Sequence, residues 1–384
     1  MKILIIYPTL THPVNAGNKH WAMAQVELLR SLGHEVYMVC LNVLGLREDR
    51  IKNSKELAIT KEYWGNHGFI LEGSLCQRIK SSVVHLYRKR SCNGYYKCDD
   101  LYPNILTAYV KKLHKKHQFD ACIVNYYWLT KVFEKVSFPI TAVNTHDVFS
   151  YRDQVLDSRN AWMCTTPNEE AKGLQRARFV FSLQDEESAF FSHLAPKSRI
   201  LNVYCPFEIK PQEPVFNHNL VILAAAGSLN LEGIEWFITS ILPSLIREFP
   251  DINFVIGGRI CNLLDKYRNL EHIQLIGEVN DPSDLYKLGD VSVNPCINGT
   301  GLKIKTFEAL SYGKVVMVHP HSTIGIYKRE CAPVFASTRA EEWVSHLKSI
   351  WRDKENVCHE MAKSVEYIRN MNHHIESQYE LLEK

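Results

Sequence analysis

The stretch VSVNPCINGTGLKIKTFEALSYGKVVMVH (residues 291–319) has the pattern of a strand, a glycine-containing loop, a helix and a second strand. The apolar runs VSVNP and KVVMVH enclose a loop with Gly299 and Gly301 and a segment with a helical pattern. Two strands joined by a crossover helix form a parallel pair. This stretch therefore predicts a parallel sheet covered by helices.

The same alternation continues along the whole chain. Ten apolar runs are candidate strands, in two groups: KILIIY, EVYMVCL, DACIVNY, PITAVN and RFVFSL, then LVILAAA, NFVIGG, IQLIG, VSVNP and KVVMVH. Between the groups, PFEIKPQEPVFNHN (206–219) contains three prolines and no apolar periodicity, which is typical of an interdomain linker. The sequence predicts an α/β protein with a Rossmann-like domain at 1–205, a linker at 206–219 and a second Rossmann-like domain at 220–355.

Composition narrows the class of protein. The 384 residues suffice for two domains, and 46% hydrophobic with 23% charged residues is typical of globular chains. The N-terminal apolar run breaks at Pro8, and no run approaches the roughly 18 residues that span a bilayer, so we expect a cytoplasmic protein. No Cys-x-x-Cys pair occurs, and His359-Glu360 lacks the second histidine of a zincin motif, so no metal is predicted.

The glycine loop has the features of an anion site. Glycines let backbone approach a ligand closely, free N–H groups at a helix start attract phosphate, and Lys303 adds a positive charge. At about 100° per residue, Gly301 and Glu308 would lie within roughly 20° of each other on a helix, which places a carboxylate behind the loop to accept hydrogen bonds from a ribose diol. Alternatively, Glu308 pairs with Lys305 on a solvated face and the glycines form a plain loop.

The run G-x-G-x-K-x-K-x-x-E-A-x-x-x-G resembles the group 1 glycosyltransferases, also called glycosyltransferase family 4. The segments GSLNLEGIEWFITSILPSLIREFPDINFVIGGR (227–259) and LIGEVNDPSDLYKLGDVSVNP (275–295) follow the order of that family. The resemblance implies the GT-B fold, in which two Rossmann-like domains with parallel sheets face each other across a cleft. It also implies an acceptor-binding first domain, a nucleotide-sugar-binding second domain, and a C-terminal helix (356–384) that crosses back to the first domain.

Carried over residue by residue, the resemblance implies a donor site. Glu308 would hold the ribose, and Lys303 would meet the diphosphate together with the loop residues Gly299, Thr300, Gly301 and Leu302. Phosphate neighbours would be Gly227 and Ser228, and the base would lie against Gly277, Glu278 and Val279. The chain departs from the family pattern at Thr300, where many members have glutamate, and at Ser228 and Glu232, where many have arginine and lysine.

Two loops of the first domain are further candidates. After the first strand only Gly17 is present where a dinucleotide site needs G-x-G-x-x-G, which disfavours an NAD enzyme. The resemblance implies that Gly17 lets backbone approach donor and acceptor across the cleft; the alternative is a helix-entry turn. Thr145-His146-Asp147 ends another strand, so His146 and Asp147 are candidate catalytic residues, with His146 orienting an acceptor hydroxyl or taking its proton. The alternative for His146 is a structural role.

A basic segment lies between the candidate strands EVYMVCL and DACIVNY. Residues 76–116 contain ten Lys or Arg and two Asp or Glu, and Leu75, Ile79, Val83 and Leu86 recur at helical spacing. We expect residues 75–116 to dock on an anionic membrane surface or to guide a lipid-diphosphate acceptor. The alternative is an ordinary solvated helix whose apolar stripe lies in the core. No nucleic-acid-binding module is recognisable and the pI is only 8.2, so a nucleic-acid partner is disfavoured.

These observations lead to one main hypothesis and two alternatives. The main hypothesis is a retaining, metal-independent glycosyltransferase that moves a sugar from a UDP-, GDP- or dTDP-linked donor to a hydroxyl of a glycan or glycolipid acceptor, in surface polysaccharide or glycoconjugate biosynthesis. It needs no cofactor besides its substrate. The alternatives are a nucleotide-sugar 2-epimerase of the same fold, which Thr300 in place of a carboxylate disfavours, and a non-catalytic nucleotide-sugar-binding protein.

Overall fold

The computed structural model describes residues 1–14, 16–43, 50–91, 94–155, 163–299 and 301–384. The chain forms two compact units: unit 1 is Met1–Pro206 with His374–Lys384, and unit 2 is Phe207–His373. The division falls at the start of the segment interpreted as a linker, whose residues 207–219 belong to unit 2.

Unit 1 contains a seven-stranded parallel sheet in the order β3-β2-β1-β4-β5-β6-β7. The strands are β1 (Lys2–Tyr7), β2 (Glu35–Asn42), β3 (Gly68–Glu72), β4 (Ala121–Asn125), β5 (Ile140–Asn144), β6 (Phe179–Ser182) and β7 (Arg199–Asn202). The helices are α1 (Gly17–Ser31), α2 (Arg50–Trp64), α3 (Leu75–Ser91), α4 (Asn104–His117), α5 (Arg152–Val155), α6 (Pro167–Leu174) and α7 (Asp185–Leu194).

The central strands of unit 1 are buried on both faces. In β1, every residue after Lys2 is buried, and Leu4 lies opposite Tyr37 on one side and Cys122 on the other. Helices cover both faces of a parallel sheet, so its strands need continuous rather than alternating apolar residues. This is why KILIIY and ACIVN form strands.

Unit 2 contains a six-stranded parallel sheet in the order β10-β9-β8-β11-β12-β13. The strands are β8 (Asn219–Leu223), β9 (Asn253–Gly257), β10 (Ile273–Gly277), β11 (Val291–Asn294), β12 (Val315–Val318) and β13 (Val334–Ala336). The helices are α8 (Ser228–Ser240), α9 (Leu242–Glu248), α10 (Ser283–Tyr286), α11 (Ile304–Ser311), α12 (Ala340–Ile350) and α13 (Lys354–Glu380). Phe237 packs between Phe254 and Trp343 in its core, with ring centroids 4.8 and 5.3 Å away.

The sheet order reverses once in each unit. Strands β1, β2 and β3 run toward one edge and β4 to β7 toward the other, and β8 and β11 mark the same reversal in unit 2. Ligands of doubly wound sheets bind beyond the carboxyl ends of the strands at such a reversal. The predicted parallel α/β architecture is confirmed, and β3, β7 and β13 are edge strands in addition to the ten expected.

In the part of the chain that the structure describes, no helix combines the length and the apolar character that crossing a bilayer demands.

Candidate functional site

The loops after β8 and β11 meet at the reversal point of unit 2, because these two strands are neighbours. Gly227 is the N-cap of α8, and a Cβ built on it would meet no atom within 4 Å. In the second loop, Gly299 has φ 115° and Gly301 has φ 75°, which residues with a side chain rarely adopt. The two glycines are therefore required by the turn itself.

Lys303 lies at the N-cap of α11, which begins at Ile304. Gly301 therefore lies outside the helix. The angle between Gly301 and Glu308 that was expected from helical geometry does not apply, because only Glu308 is helical. The buried Lys303 Nζ donates to the carbonyl oxygens of Gly299 at 3.1 Å and Gly301 at 3.2 Å. Its ammonium group thus holds both ends of the glycine turn.

Side chains also connect the two loops. Lys305 Nζ donates to Asn230 Oδ1, and Asn230 Nδ2 donates to the carbonyl oxygen of Ala225 at 2.8 Å. Asn298 Nδ2 donates to Glu232 Oε2 at 3.5 Å. Burial lowers the pKa of Lys305, so its charged form depends on these polar neighbours or on an anion for stabilisation.

Glu308 lies in the middle of α11 and is partly buried. Its Oε2 accepts a hydrogen bond from the hydroxyl of Tyr286 at 3.2 Å, and the Tyr286 ring stacks on Tyr312 with centroids 4.5 Å apart. Burial raises the pKa of Glu308, while the Tyr286 hydrogen bond and the charge of Lys305 oppose that rise. Glu308 and Lys305 are both partly buried rather than fully solvated.

Two histidines beside the glycine loop were not predicted from the sequence. They follow β12, the neighbour of β11, in the run VHPHS. His321 Nε2 donates to the carbonyl oxygen of Gly299 at 2.9 Å, and the His321 backbone N–H donates to His319 Nδ1 at 3.1 Å. Burial lowers the pKa of both rings. Their position after a strand was the signal that could have identified them.

The remaining donor-site candidates of unit 2 lie at the end of β10, at the start of α8 and before α11. Gly277 ends β10 with φ 77°, Glu278 is exposed and Val279 is partly buried, on an edge strand separated from β8 by β9. Ser228 is the exposed first residue of α8, and Leu302 is partly buried. Thr300 lies outside the described residues.

In unit 1, His146 follows β5 in a strained left-handed conformation with φ 65°. Its Nε2 lies 2.8 Å from Asn125 Oδ1, and its ring stacks on Tyr126 at 4.2 Å and meets Trp21 edge-on at 4.9 Å. Burial lowers the pKa of His146 to about 3. The imidazole is therefore neutral at physiological pH and suits hydrogen bonding better than proton abstraction.

Asp147 and Gly17 occupy defined local positions. The Asp147 carboxylate pairs with Arg152 Nη2 at 2.9 Å and accepts from the Val148 backbone N–H at 2.9 Å. Gly17 is the first residue of α1, and its N-cap, Ala16, provides no side-chain cap. Asp147 is thus bonded to Arg152 and Val148. At the start of α1, Gly17 has no side chain that would cover the backbone.

Two buried glutamates near Asp147 also escaped the sequence analysis. Glu170 accepts from the backbone N–H groups of Phe149 and Ser150, and Glu187 accepts from Leu183 N–H and Gln184 Nε2. Burial raises the pKa of Glu170 to about 7 and that of Glu187 to about 8, with the Asp147 charge acting in the same direction. Nothing in their local sequence distinguishes them from exposed glutamates.

Within the residues that the structure describes, no group of three His, Cys, Asp or Glu side chains is arranged to hold a metal ion.

Two doubly wound sheets, one of which carries a glycine loop and a helix start at its reversal point, form an α/β architecture in which many proteins bind nucleotides. Residues 219–353 match the family model described as glycosyl transferases group 1. The chain is 21% identical, over 328 residues and 80% of each sequence, to a curated protein of Klebsiella pneumoniae described as an uncharacterized 44.6 kDa protein in the cps region.

Several solved structures are similar in fold to this chain over its whole length. Sucrose-phosphate synthase from Thermosynechococcus elongatus is 15% identical with a TM-score of 0.64, covering 100% of this chain and 98% of that one. Anabaena HepE in complex with UDP is 12% identical with a TM-score of 0.64, covering 99% and 100%. A mutant of S. aureus TarM in complex with fondaparinux, alpha-GlcNAc-glycerol and UDP is 9% identical with a TM-score of 0.66, covering 100% and 99%.

Residues 219–353 of unit 2 are thus similar to the group 1 glycosyltransferases, and the chain as a whole has the GT-B fold.

Proposed function

We propose that this protein is a glycosyltransferase, which moves a sugar from a nucleotide-sugar donor to a hydroxyl of a glycan or glycolipid acceptor, in surface polysaccharide or glycoconjugate biosynthesis. The observation that carries the donor assignment is the arrangement around α11. A partly buried Glu308, fixed by Tyr286, follows a glycine turn at the reversal point of unit 2. The carboxylate accepts the ribose hydroxyls, and the loop amides with Lys303 contact the diphosphate.

Two lysines supply the charge that transfer requires. The acceptor oxygen bonds to the anomeric carbon, and the bond from that carbon to the diphosphate oxygen breaks. The nucleoside diphosphate leaves with the electron pair, and its departing oxygen takes up the proton of the acceptor hydroxyl. Lys303 and Lys305 are buried or partly buried near the loop, where they stabilise the departing diphosphate without a metal ion. Transfer proceeds with retention, and activity persists when chelator is added.

The acceptor side is assigned to unit 1. A neutral His146 orients the reacting hydroxyl, and Asp147 with its Arg152 partner holds the segment after β5 in place. Gly17 leaves backbone accessible at the start of α1. The neighbours suggest the first donor to test, because UDP is bound in the HepE and TarM structures; GDP- and dTDP-sugars follow.

Helix α3 supports peripheral attachment to the cytoplasmic face of an anionic membrane. Its apolar residues Ile79, Val83, Leu86 and Tyr87 are 44%, 60%, 49% and 56% exposed, so the stripe does not lie in the core. At about 100° per residue these four side chains span an arc of roughly 100°. Lys80, Lys89 and Arg90 are exposed on the same helix, which contains no acidic residue. Exposed apolar side chains beside cations match an anionic lipid surface.

Calorimetric titration with UDP, GDP and dTDP tests the donor assignment. Replacing Glu308 with Ala removes both ribose acceptors and is expected to weaken binding by tenfold or more, about 1.4 kcal/mol or more. The matched control is Glu341→Ala, which deletes an exposed glutamate of α12. Unchanged affinity in Glu308→Ala would refute the assignment.

Product analysis with candidate donors then separates the three functions. A new glycoside supports transfer, an epimerised donor supports the epimerase, and binding without either product supports a non-catalytic role.

A further inference from the structure

A continuous chain of buried amide side chains connects His146 to the C-terminal segment of unit 1. Asn144 Nδ2 donates to Asn125 Oδ1 at 3.1 Å and to Gln25 Oε1 at 2.8 Å. Gln25 Nε2 donates back to Asn144 Oδ1 at 3.2 Å and onward to the hydroxyl of Tyr379 at 2.6 Å. Asn125, Asn144, Gln25 and Tyr379 are all fully or almost fully buried.

The orientation of Asn125 fixes which groups donate and which accept in this series of side-chain hydrogen bonds. Its Nδ2 donates to the backbone carbonyl oxygen of Ile6 at 3.1 Å, and a carbonyl oxygen can only accept. Asn125 Oδ1 must therefore face Asn144 Nδ2 and His146 Nε2, because the flipped amide would bring two oxygens together at Ile6. Both lone pairs of Asn125 Oδ1 are then used by donors.

An acceptor opposite His146 Nε2 determines which ring nitrogen carries the proton. Since Asn125 Oδ1 only accepts, Nε2 must be the donor, and the neutral ring carries no proton on Nδ1. Among the described residues no hydrogen bond to Nδ1 is present, and His146 as a residue is partly exposed. Nδ1 is thus a free acceptor at the carboxyl edge of the unit 1 sheet.

We propose that Asn125, Asn144, Gln25 and Tyr379 are positioning residues that lock His146 as the Nε2–H tautomer, so that Nδ1 accepts a hydrogen bond from a substrate hydroxyl. The left-handed backbone at Tyr126 (φ 73°) and His146 (φ 65°), at the ends of neighbouring strands, stacks the two rings and fixes the imidazole plane. Through Tyr379, the C-terminal segment holds the end of this hydrogen-bonded series that is farthest from His146. The substrate hydroxyl rests on the proposed function; the tautomer does not.

Nitrogen-15 NMR of the full chain, labelled at histidine and free of substrate, tests the lock. Long-range proton–nitrogen correlation distinguishes the two neutral tautomers and the imidazolium, and signals missing in His146→Gln identify His146. At neutral pH we expect the Nε2–H pattern alone. An Nδ1–H pattern or an imidazolium would overturn the proposal, whatever the outcome of transfer assays.

A second variant tests whether Asn125 sets this state. Asn125→Asp keeps an acceptor beside Nε2, replaces the Nδ2 donor to the Ile6 carbonyl oxygen with an oxygen, and adds a negative charge, which favours the protonated ring. We expect His146 to shift from the neutral pattern to the imidazolium pattern, a change that loss of packing alone does not produce. The matched control is Asn294→Asp, at the end of β11 in unit 2, which should leave the His146 signals in place. An Nδ1–H pattern in a folded Asn125→Asp chain would also overturn the proposal. An unchanged Nε2–H pattern would place the proton on the new carboxyl, opposite the Ile6 carbonyl oxygen, and would still support the lock.

Discussion

Lys314 carries a charge that its surroundings do not balance. It is 0% exposed, and its Nζ has no hydrogen-bond partner in the described part of the chain. Burial lowers its pKa to about 8, although the nearby Asp290 opposes the shift. Asp290 is itself occupied by the backbone N–H groups of Val215 and Phe216. Charged Lys314 therefore destabilises unit 2 at neutral pH.

Replacing Lys314 with Met is expected to stabilise unit 2 by up to about 3 kcal/mol at pH 7. The folded-state pKa lies below that of the unfolded chain, so unfolding takes up protons and the wild-type stability rises between about pH 8 and pH 10. The variant should lose that rise. Urea unfolding at pH 7 and 9.5 measures both effects, with the exposed Lys354→Met as control. A variant less stable than wild type at pH 7 contradicts this account.

Glu187 shows the opposite dependence on pH. Its folded-state pKa of about 8 lies above the usual value of 4.5, so its contribution to stability is complete below pH 4.5 and is lost as pH rises through 8. Glu187→Gln is expected to flatten this decline in unit 1, by up to a few kcal/mol between pH 5 and about 8. The exposed neighbour provides a matched control, Glu186→Gln. Equal slopes in both variants, by urea unfolding, would remove Glu187 as the cause.

Residues that belong to a local sequence pattern could be selected as candidates from the sequence. Glu308 and the glycines at 299 and 301 stand in one short run of the sequence, and both glycines adopt positive φ in the structure. His321 and Glu187 were not predicted from the sequence, because their properties come from hydrogen bonding and burial by elements distant in the sequence. The amide chain to Tyr379 joins residues more than 350 positions apart, which no local pattern records.

At the scale of elements, the missed strands share one feature. β3, β7 and β13 all lie at sheet edges, where one side has no partner strand. Their burial is incomplete, as in β13, which has no buried residue, so they lack the apolar runs that revealed the central strands. Edge strands are specified by the neighbouring strand rather than by their own composition.

Helix α3 yields the prediction at this scale. Changing Lys80, Lys89 and Arg90 to Gln should reduce binding to phosphatidylglycerol-containing vesicles by more than tenfold, because each charge near the surface contributes about 1 kcal/mol. Flotation against pure phosphatidylcholine vesicles measures the charge-dependent part. Val83→Ser should reduce the remaining binding, since Val83 is 60% exposed.

Helix α4 provides the matched control for charge. Changing Lys111, Lys112 and Lys115 to Gln removes the same number of charges from a helix whose apolar residues Leu106, Val110 and Leu113 are buried. We expect a much smaller loss of binding. Equal losses for the two helices, or none for α3, would contradict an interface at α3.

At the scale of the whole molecule, the two-sheet architecture could be predicted because the strands of a parallel sheet appear in the sequence as continuous apolar runs. The return of the chain to unit 1 depends on tertiary contacts. Helix α13 has a polar composition, yet Ile375, Tyr379 and Leu382 at the end of the chain are buried within unit 1. The last eleven residues, His374–Lys384, are thus a structural part of the first unit.

Ending the chain at His373 should therefore destabilise unit 1 and leave unit 2 intact. Each of Ile375, Tyr379 and Leu382 fills core volume whose loss costs about 2–5 kcal/mol, and Gln25 loses its Tyr379 partner. Hydrogen exchange is expected to accelerate at least tenfold in β1 and β6, with β8 and β11 unchanged. A chain ending at Leu382 lacks only exposed residues and should match the full chain. If β8 and β11 lose protection together with β1, the two units share one unfolding transition, and the C-terminal segment supports both.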